Sequence, residues 1–276
     1  MPILNKDMTL CISLAARPSN IGTRFHNYLY EALGLNYIYK AFAPVDLAAA
    51  VAGIRGLPIR GAAVSMPFKE SVIALVDRMD PSARAIDSVN TIVNDDGVLT
   101  AYNTDYIAIR RLLSEHQVDP ELTVLLRGSG GMAKAVAAAL RDASFRQVTI
   151  VARNEDAGRA LAELYGFGWA TEVGSRTAGL LINVTPLGMA GSDEEVQSFD
   201  DATVTAAQVV FDVVALPAET PLVRAARAAR KPVITGAEVI AIQAVEQFVL
   251  YTGVRPTDEQ VRAASEFSRS SQPGVS

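Results

Sequence analysis

The chain has 276 residues, half of them hydrophobic, and a formal net charge of −5. That length suits one large α/β domain or two smaller ones with ample material for a core, and the acidic balance argues against a general nucleic-acid or anionic-membrane binder. The single cysteine, Cys11, excludes an internal disulfide and fits a reducing cytosol; its neighbours Leu10 and Ile12 indicate a thiol buried in a strand. With only His26 and His116 beside it, no metal site is expected. The segment from Met1 to Asp7 lacks a signal-peptide apolar run, and no stretch has the apolar length of a bilayer span. A soluble cytoplasmic protein is the expectation.

Strand and helix patterns alternate from the start. Thr9–Ser13 reads as a strand leading into a polar turn with Arg17-Pro18-Ser19-Asn20. A helix is predicted from about Thr23 to Leu33, where Phe25, Leu29 and Leu33 share a face. Asn36–Phe42 reads as a strand, Leu47–Ile54 as a helix, and Gly61–Ser65 as a short strand ending before Pro67. Ser88–Val93 and Gly97–Tyr102 flank Asn94-Asp95-Asp96-Gly97, a hairpin-turn signal.

After Asp105 the pattern becomes a helix, Tyr106–His116, followed by short apolar runs: Thr123–Leu126, Gln147–Val151, Gly179–Asn183, Val209–Val213 and Pro232–Thr235. Near-continuous apolar strands are expected where helices cover both faces of a parallel sheet. Glu238–Tyr251 is a long helical pattern, and the polar tail after Ser268 reads as frayed. Domain boundaries are placed near Asp105 and Gly236, giving segments 1–105, 106–237 and 238–276 with no internal repeat.

Gly128-Ser129-Gly130-Gly131-Met132-Ala133 is the strongest local motif. A lone glycine pattern of this kind is weak, and an ordinary glycine-rich loop is the plain alternative. Here a strand precedes it and an alanine-rich helix, Ala133–Leu140, follows. Gly128 permits the tight turn, Gly130 lets the backbone approach a pyrophosphate, and Ala133 allows close helix–sheet packing. The motif therefore points to a nicotinamide-dinucleotide site.

The next strand ends at Val151-Ala152-Arg153-Asn154, where an NAD enzyme would place an acidic residue for the ribose 2′-hydroxyl. Arg153 instead offers a guanidinium to a 2′-phosphate, and Arg159 could add charge from the following helix. Glu155 and Asp156 lie close by. NADP is the expected cofactor, with NAD possible.

Three polar clusters stand in the first hundred residues: Ser65-Met66-Pro67-Phe68-Lys69-Glu70, Ser88-Val89-Asn90-Thr91 and Tyr102-Asn103-Thr104-Asp105. Alone, each has a bland reading: a solvated lysine, a turn asparagine, a helix cap. Together they supply what oxidation of a secondary alcohol needs. A partly desolvated lysine beside a carboxylate exchanges the hydroxyl proton near neutral pH, and an asparagine holds the hydroxyl without competing for that proton.

With these motifs in order, the whole chain resembles the shikimate/quinate dehydrogenase family. Val64–Glu70 resembles the family's V-T-V-P-x-K-x, Ser88–Thr91 its A-V-N-T, and Tyr102–Asp105 its Y-N-T-D. Asn183–Met189, Phe211–Val214 through Glu219-Thr220-Pro221, and Gly236–Ala244 also match family segments.

The resemblance implies a two-domain α/β fold. An N-terminal α/β substrate domain joins a Rossmann-type dinucleotide-binding domain, and the C-terminal helices pack back on the first domain. It implies a catalytic Lys69–Asp105 pair in an interdomain cleft, with Ser65, Asn90 and Gln243 toward the substrate. It also implies a cofactor set comprising Gly128 to Ala133, Arg153, Asn154, Thr185, Val213 and Gly236. The partner is then a cyclic hydroxy acid of the shikimate/3-dehydroshikimate or quinate type, handled by a monomer or homodimer.

One region departs from that pattern. The family binds the substrate carboxylate with two hydroxyls in an S-x-S or S-x-T motif before H-N. Counting back from His26-Asn27 puts Asn20 and Gly22 there, with Ser19 and Thr23 flanking them as substitutes if the loop shifts. Ala215 also occupies the place of a frequent tyrosine. Losing a fitted hydrogen bond can cost orders of magnitude in efficiency. The expectation is therefore intact oxidoreductase chemistry with weak activity on shikimate itself, as in a shikimate-dehydrogenase-like paralogue. An NAD-preferring quinate dehydrogenase and a catalytically weak NADP-binding sensor are the alternatives.

Overall fold

The computed structural model describes residues 4–270, which divide into two compact units. The first runs to Thr104 and resumes at Ala241; the second is Asp105–Ile240.

The first unit opens with β1 (Thr9–Leu14), α1 (Asn20–Ala32), β2 (Tyr37–Phe42), α2 (Leu47–Gly56) and β3 (Gly61–Val64). A 3₁₀ turn at Ser71–Leu75 leads to β4 (Arg78–Met79), the short α3 (Pro81–Arg84), β5 (Thr91–Asp95) and β6 (Val98–Tyr102). These strands form one mixed sheet in the order β2-β1-β3-β5-β6-β4. Strand β1 is parallel to β2 and β3, while β5 is antiparallel to β3 and β6. The β5–β6 hairpin turns at Asp96 and Gly97, whose φ angles of 51° and 88° both lie in the left-handed region. A two-residue turn of that kind matches the twist of the strands it joins.

Two expectations shift by three residues. Helix α1 starts at Asn20 rather than Thr23, because Ser19, just after Pro18, has the extended conformation of an N-cap residue (φ −107°, ψ 163°). Strand β5 starts at Thr91 rather than Ser88, because the Val89 N–H leaves the ladder to donate to the Lys69 carbonyl at 2.8 Å.

The second unit contains α4 (Thr104–Glu115) apart from its first residue, then β7 (Val124–Arg127), α5 (Gly131–Asp142), β8 (Val148–Val151), α6 (Glu155–Tyr165) and β9 (Gly168–Ala170). It continues through β10 (Leu180–Asn183), α7 (Asp201–Ala206), β11 (Val209–Asp212), α8 (Pro221–Ala228) and β12 (Val233–Thr235). All six strands are parallel, in the order β12-β11-β10-β7-β8-β9. This is the doubly wound Rossmann arrangement, and strand order reverses between β7 and β10, the place where such sheets bind ligands beyond their carboxyl ends.

Helix α9 (Gly236–Thr252) carries the chain from the second unit back into the first, and α10 (Asp258–Arg269) follows. Phe248 and Tyr251 of α9 and Ala264 of α10 join Phe25, Leu29, Tyr30 and Tyr39 in one buried cluster. The C-terminal helices thus pack on the first unit. Thr257 and Gln260 cap α10 reciprocally, side chain to backbone in both directions. The helix runs to Arg269 with Ser270 as its C-cap, two residues into the stretch after Ser268 that the sequence reads as frayed; residues 271–276 lie outside the described residues.

Candidate functional site

Within the first unit, the three polar clusters converge at the carboxyl end of β3. The backbone arranges this: Val64 N–H donates to the Asn90 carbonyl at 2.8 Å, and Val89 N–H to the Lys69 carbonyl at 2.8 Å. Asn90 N–H in turn donates to the Tyr102 carbonyl at 3.1 Å. Asn103, buried, donates its side-chain amide to the Ser88 carbonyl at 2.9 Å. The segments bearing Lys69 and Asn90 are therefore hydrogen-bonded neighbours, and Ser65 lies at the exposed start of the lysine segment.

Asn90 is buried, and its amide is oriented by both flanking threonines. Its Oδ1 accepts from the Thr91 hydroxyl at 2.8 Å and the Thr104 N–H at 2.8 Å, and its Nδ2 donates to the Thr104 hydroxyl at 3.0 Å. The remaining Nδ2 hydrogen has no partner among the described residues. Gln243, half-buried on α9, brings Oε1 to 3.4 Å from the same threonine hydroxyl. Gln247, one turn later, donates to Thr91 Oγ1 at 3.0 Å and to the Asn90 carbonyl at 3.3 Å. Sequence reasoning missed Gln247. Its spacing of four from Gln243, which puts both amides on one face of a mainly apolar helix, was the available signal.

Ser19 and Asn20 are exposed at the start of α1. Thr23 lies within the helix, its hydroxyl buried without a hydrogen-bond partner among the described residues. Asn27 ties this helix to β2, donating to the Thr23 and Tyr39 carbonyls at 2.8 Å each and accepting from the Tyr39 N–H at 2.9 Å. His26 is enclosed by aromatic rings, stacked on Tyr39 at 4.5 Å between centroids. Burial, offset in part by a hydrogen bond that the imidazole donates to Gln247, lowers its pKa to about 3, so it is neutral. Cys11 is buried in β1, and burial pushes its thiol up to about 12, which leaves it inert at neutral pH.

In the second unit, the glycine turn joins β7 to α5. Gly128 has φ +128°, and a Cβ there would meet the Val184 side chain at 2.7 Å. At Gly130 and Gly131 nothing lies within 4 Å of a Cβ position, so the space beside the turn is clear. Gly130 is the N-cap of α5 and no side chain caps it. Met132 is half-buried and Ala133 fully buried in the first turn. A helix start with no side-chain cap and clear space beside it fits a pyrophosphate.

Beside this turn is a cleft of ≈ 770 Å³ lined by Gly128, Ser129, Arg153, Asn154 and Thr185, among others. Asn154 Oδ1 also caps α6 by accepting the Ala157 N–H at 3.0 Å. Thr185 is set by Asn183, whose Oδ1 accepts its hydroxyl at 2.6 Å. Asn183 in turn donates to the buried Asp212, which also accepts from Thr220 at 2.6 Å; burial raises the carboxyl although these donors pull it down. Val213 and Gly236 lie outside the cleft lining, close-packed so that a Cβ on Gly236 would run into the Val213 carbonyl. Arg159, expected to lend charge, is instead paired with Glu155 at 2.8 Å and set over the Trp169 ring, and it does not line the cleft. Arg127, which sequence reasoning passed over, does line it.

Asp105 opens the second unit, covalently next to Thr104. Among the described residues no group of three or more His, Cys, Asp or Glu is placed to hold a metal, and no helix is long and apolar enough to cross a membrane.

A mixed α/β unit and a doubly wound Rossmann-type unit, with C-terminal helices returning to the first, define a two-unit α/β architecture with a dinucleotide-binding type of sheet. Residues 20–92 match the family model for the shikimate dehydrogenase substrate binding domain. A shikimate dehydrogenase-like protein of Haemophilus influenzae is 53% identical over 97% of this chain and 99% of its own length. A solved shikimate 5-dehydrogenase-like protein superposes with a TM-score of 0.96 at 52% identity, covering 97% of this chain and 100% of that one. The shikimate 5-dehydrogenase of Thermus thermophilus, solved with NADP(H) and shikimate, gives 0.83 at 28% identity, with 95% and 100% covered. The chain belongs to the shikimate dehydrogenase family.

Proposed function

We propose that this protein is an NADP-dependent oxidoreductase. It interconverts a secondary alcohol and a ketone on shikimate or a related cyclic hydroxy acid, with weak activity on shikimate itself. The observation that carries the reading is the oriented Asn90 amide, locked by Thr91 and Thr104 and hydrogen-bonded through the backbone to the Lys69 segment. Asn90 presents one amide hydrogen to a substrate hydroxyl. Lys69 removes that hydroxyl's proton in oxidation and returns it in reduction, with Asp105 as its carboxylate partner. Gln243 contacts a second hydroxyl, and Ser65 the substrate's polar edge. When bound, the nicotinamide takes or gives the hydride.

Gly128 to Ala133 hold the pyrophosphate, and Arg153 with Asn154 and Thr185 bind the adenosine half. Val213 and Gly236 shape the nicotinamide end. An arginine at the end of β8 favours NADP over NAD. Weak activity on shikimate follows from α1, which presents exposed Ser19 and Asn20 and a buried Thr23 hydroxyl in place of a paired-hydroxyl loop. The test is a spectrophotometric screen of shikimate, quinate and related ring acids with each cofactor. Reduced nicotinamide forming fastest with NADP and a ring acid other than shikimate is the expected result. Tight NADP binding with no turnover of any such acid would favour a sensor instead.

A further inference from the structure

Strand β7 ends in a charge. It is apolar from Val124 to Leu126, and the next residue, immediately before the glycine turn, is Arg127. The Arg127 carbonyl accepts the Val184 N–H at 3.0 Å, and the following residue, Gly128, donates to the Val151 carbonyl at 2.9 Å. The backbone is thus fixed at the centre of the sheet. The half-buried guanidinium stands 5.9 Å from the centroid of the buried Phe199 ring, within the range of cation–π attraction.

Arg127 is the register partner of Val151, and Arg153 follows two residues later. Both arginines line the same cleft. Glu172 and Asp193 line it too, yet neither pairs with either guanidinium among the described residues. Arg127 is half-buried and Arg153 exposed; the two cations repel each other across the cleft, and an anion between them relieves that repulsion. Burial, and after it the charge of Arg153, pulls the Arg127 pKa below its ordinary value, the second being the electrostatic trace of that repulsion.

We propose that Arg127 and Arg153 form a two-cation clamp for the dianionic 2′-phosphate of NADP, which makes Arg127 a cofactor-specificity residue of this chain. The proposal rests on the NADP reading above. A dianion relieves the repulsion between the guanidiniums, whereas the neutral 2′-hydroxyl of NAD does not. Discrimination between the cofactors therefore comes from both arginines. If Arg127 only stacked on the adenine, it would serve both cofactors equally.

The test is equilibrium binding of NADPH and NADH to the full chain, by calorimetry or nucleotide fluorescence, with no turnover needed. For Arg127→Leu the NADPH dissociation constant is expected to rise about 10- to 100-fold, the worth of one charge-assisted hydrogen bond. NADH binding should change by less than about threefold. Arg127→Lys should retain most of the preference, and Arg127→Gln repeats the test should the leucine variant fail to fold. Equal weakening of both nucleotides, or no change in either, overturns the clamp. If the wild type prefers NADPH, Arg153→Ala abolishes the preference and Arg127→Leu leaves it intact, the clamp fails while the NADP reading stands. If the wild type shows no preference, both fail.

Discussion

Asn90 grips Thr104 at two points, accepting its backbone N–H at 2.8 Å and donating to its hydroxyl at 3.0 Å. The two residues are 14 apart in sequence and both are buried, so neither group has water as an alternative partner. The pairing fixes the amide plane before any ligand arrives, and preorganised donors lose less on binding.

Asn90→Ala should therefore harm stability as well as activity. It strands the buried Thr104 N–H and takes one partner from each of the Thr91 and Thr104 hydroxyls, at a cost of about 1–3 kcal/mol. Chemical denaturation should show the loss, while NADPH affinity stays within about threefold of wild type. Unchanged stability would mean that water replaces the amide.

Lys69→Ala should reduce turnover by about 10²- to 10⁴-fold, the usual worth of a general acid–base. Nucleotide binding should be preserved, since the glycine turn and Arg153 belong to the other unit. Near-normal rates with the best substrate of the screen would remove Lys69 from the chemistry.

The buried His26 makes stability depend on pH. Its folded pKa of about 3 lies below the ordinary 6.5, so the unfolded chain takes up a proton that the folded chain refuses. Stability is full above about 6.5 and declines as pH falls toward 3, by about 1.4 kcal/mol per unit inside that window. His26→Phe should flatten the difference between denaturation curves at about pH 7.5 and about pH 5. An equal slope in wild type and variant would count against this account.

Gly128→Ala should lose nucleotide binding. It sets a side chain at φ +128° and brings a methyl to 2.7 Å from Val184, a strain of about 1–3 kcal/mol that shifts the turn. Gly130→Ala, where nothing crowds the added carbon, separates the effects: it should leave stability intact and obstruct only the bound nucleotide. Equal destabilisation by the two changes would contradict this.

What could be read from sequence was local. The strand, glycine turn and helix around Gly128 are consecutive, and the Asp96-Gly97 turn sits between two alternating runs. The second unit's strands were legible because each is a short, nearly continuous apolar run. The two-residue β4 and three-residue β9 are too short to show a period. Helix α10 carries a local signal in Thr257-Asp258-Glu259-Gln260, the pattern of a reciprocal cap.

The functional clusters were visible as residue types, but their joining was not. Asn90 meets Thr104 across a hairpin, and Gln247 reaches Thr91 from 156 positions away. Arg127 and Arg153 share a cleft only because β7 and β8 are neighbours in the sheet. The resemblance to a family supplied roles for Lys69, Asp105 and Gln243, yet it said nothing about Arg127, which stands just before the glycine motif and outside it.

The return of α9 and α10 to the first unit bears on how the chain is born. The second unit is one uninterrupted stretch, so all its strands are available once Ile240 has been made. The first unit lacks Phe248, Tyr251 and Ala264 until those helices are made, and without them Phe25, Leu29 and Tyr30 are missing part of their cover. During synthesis the earliest-made strands wait for the last-made helices, so the middle of the chain completes its fold before the beginning. A released chain truncated after Ile240 should then hold a protease-resistant second unit beside an unfinished first one.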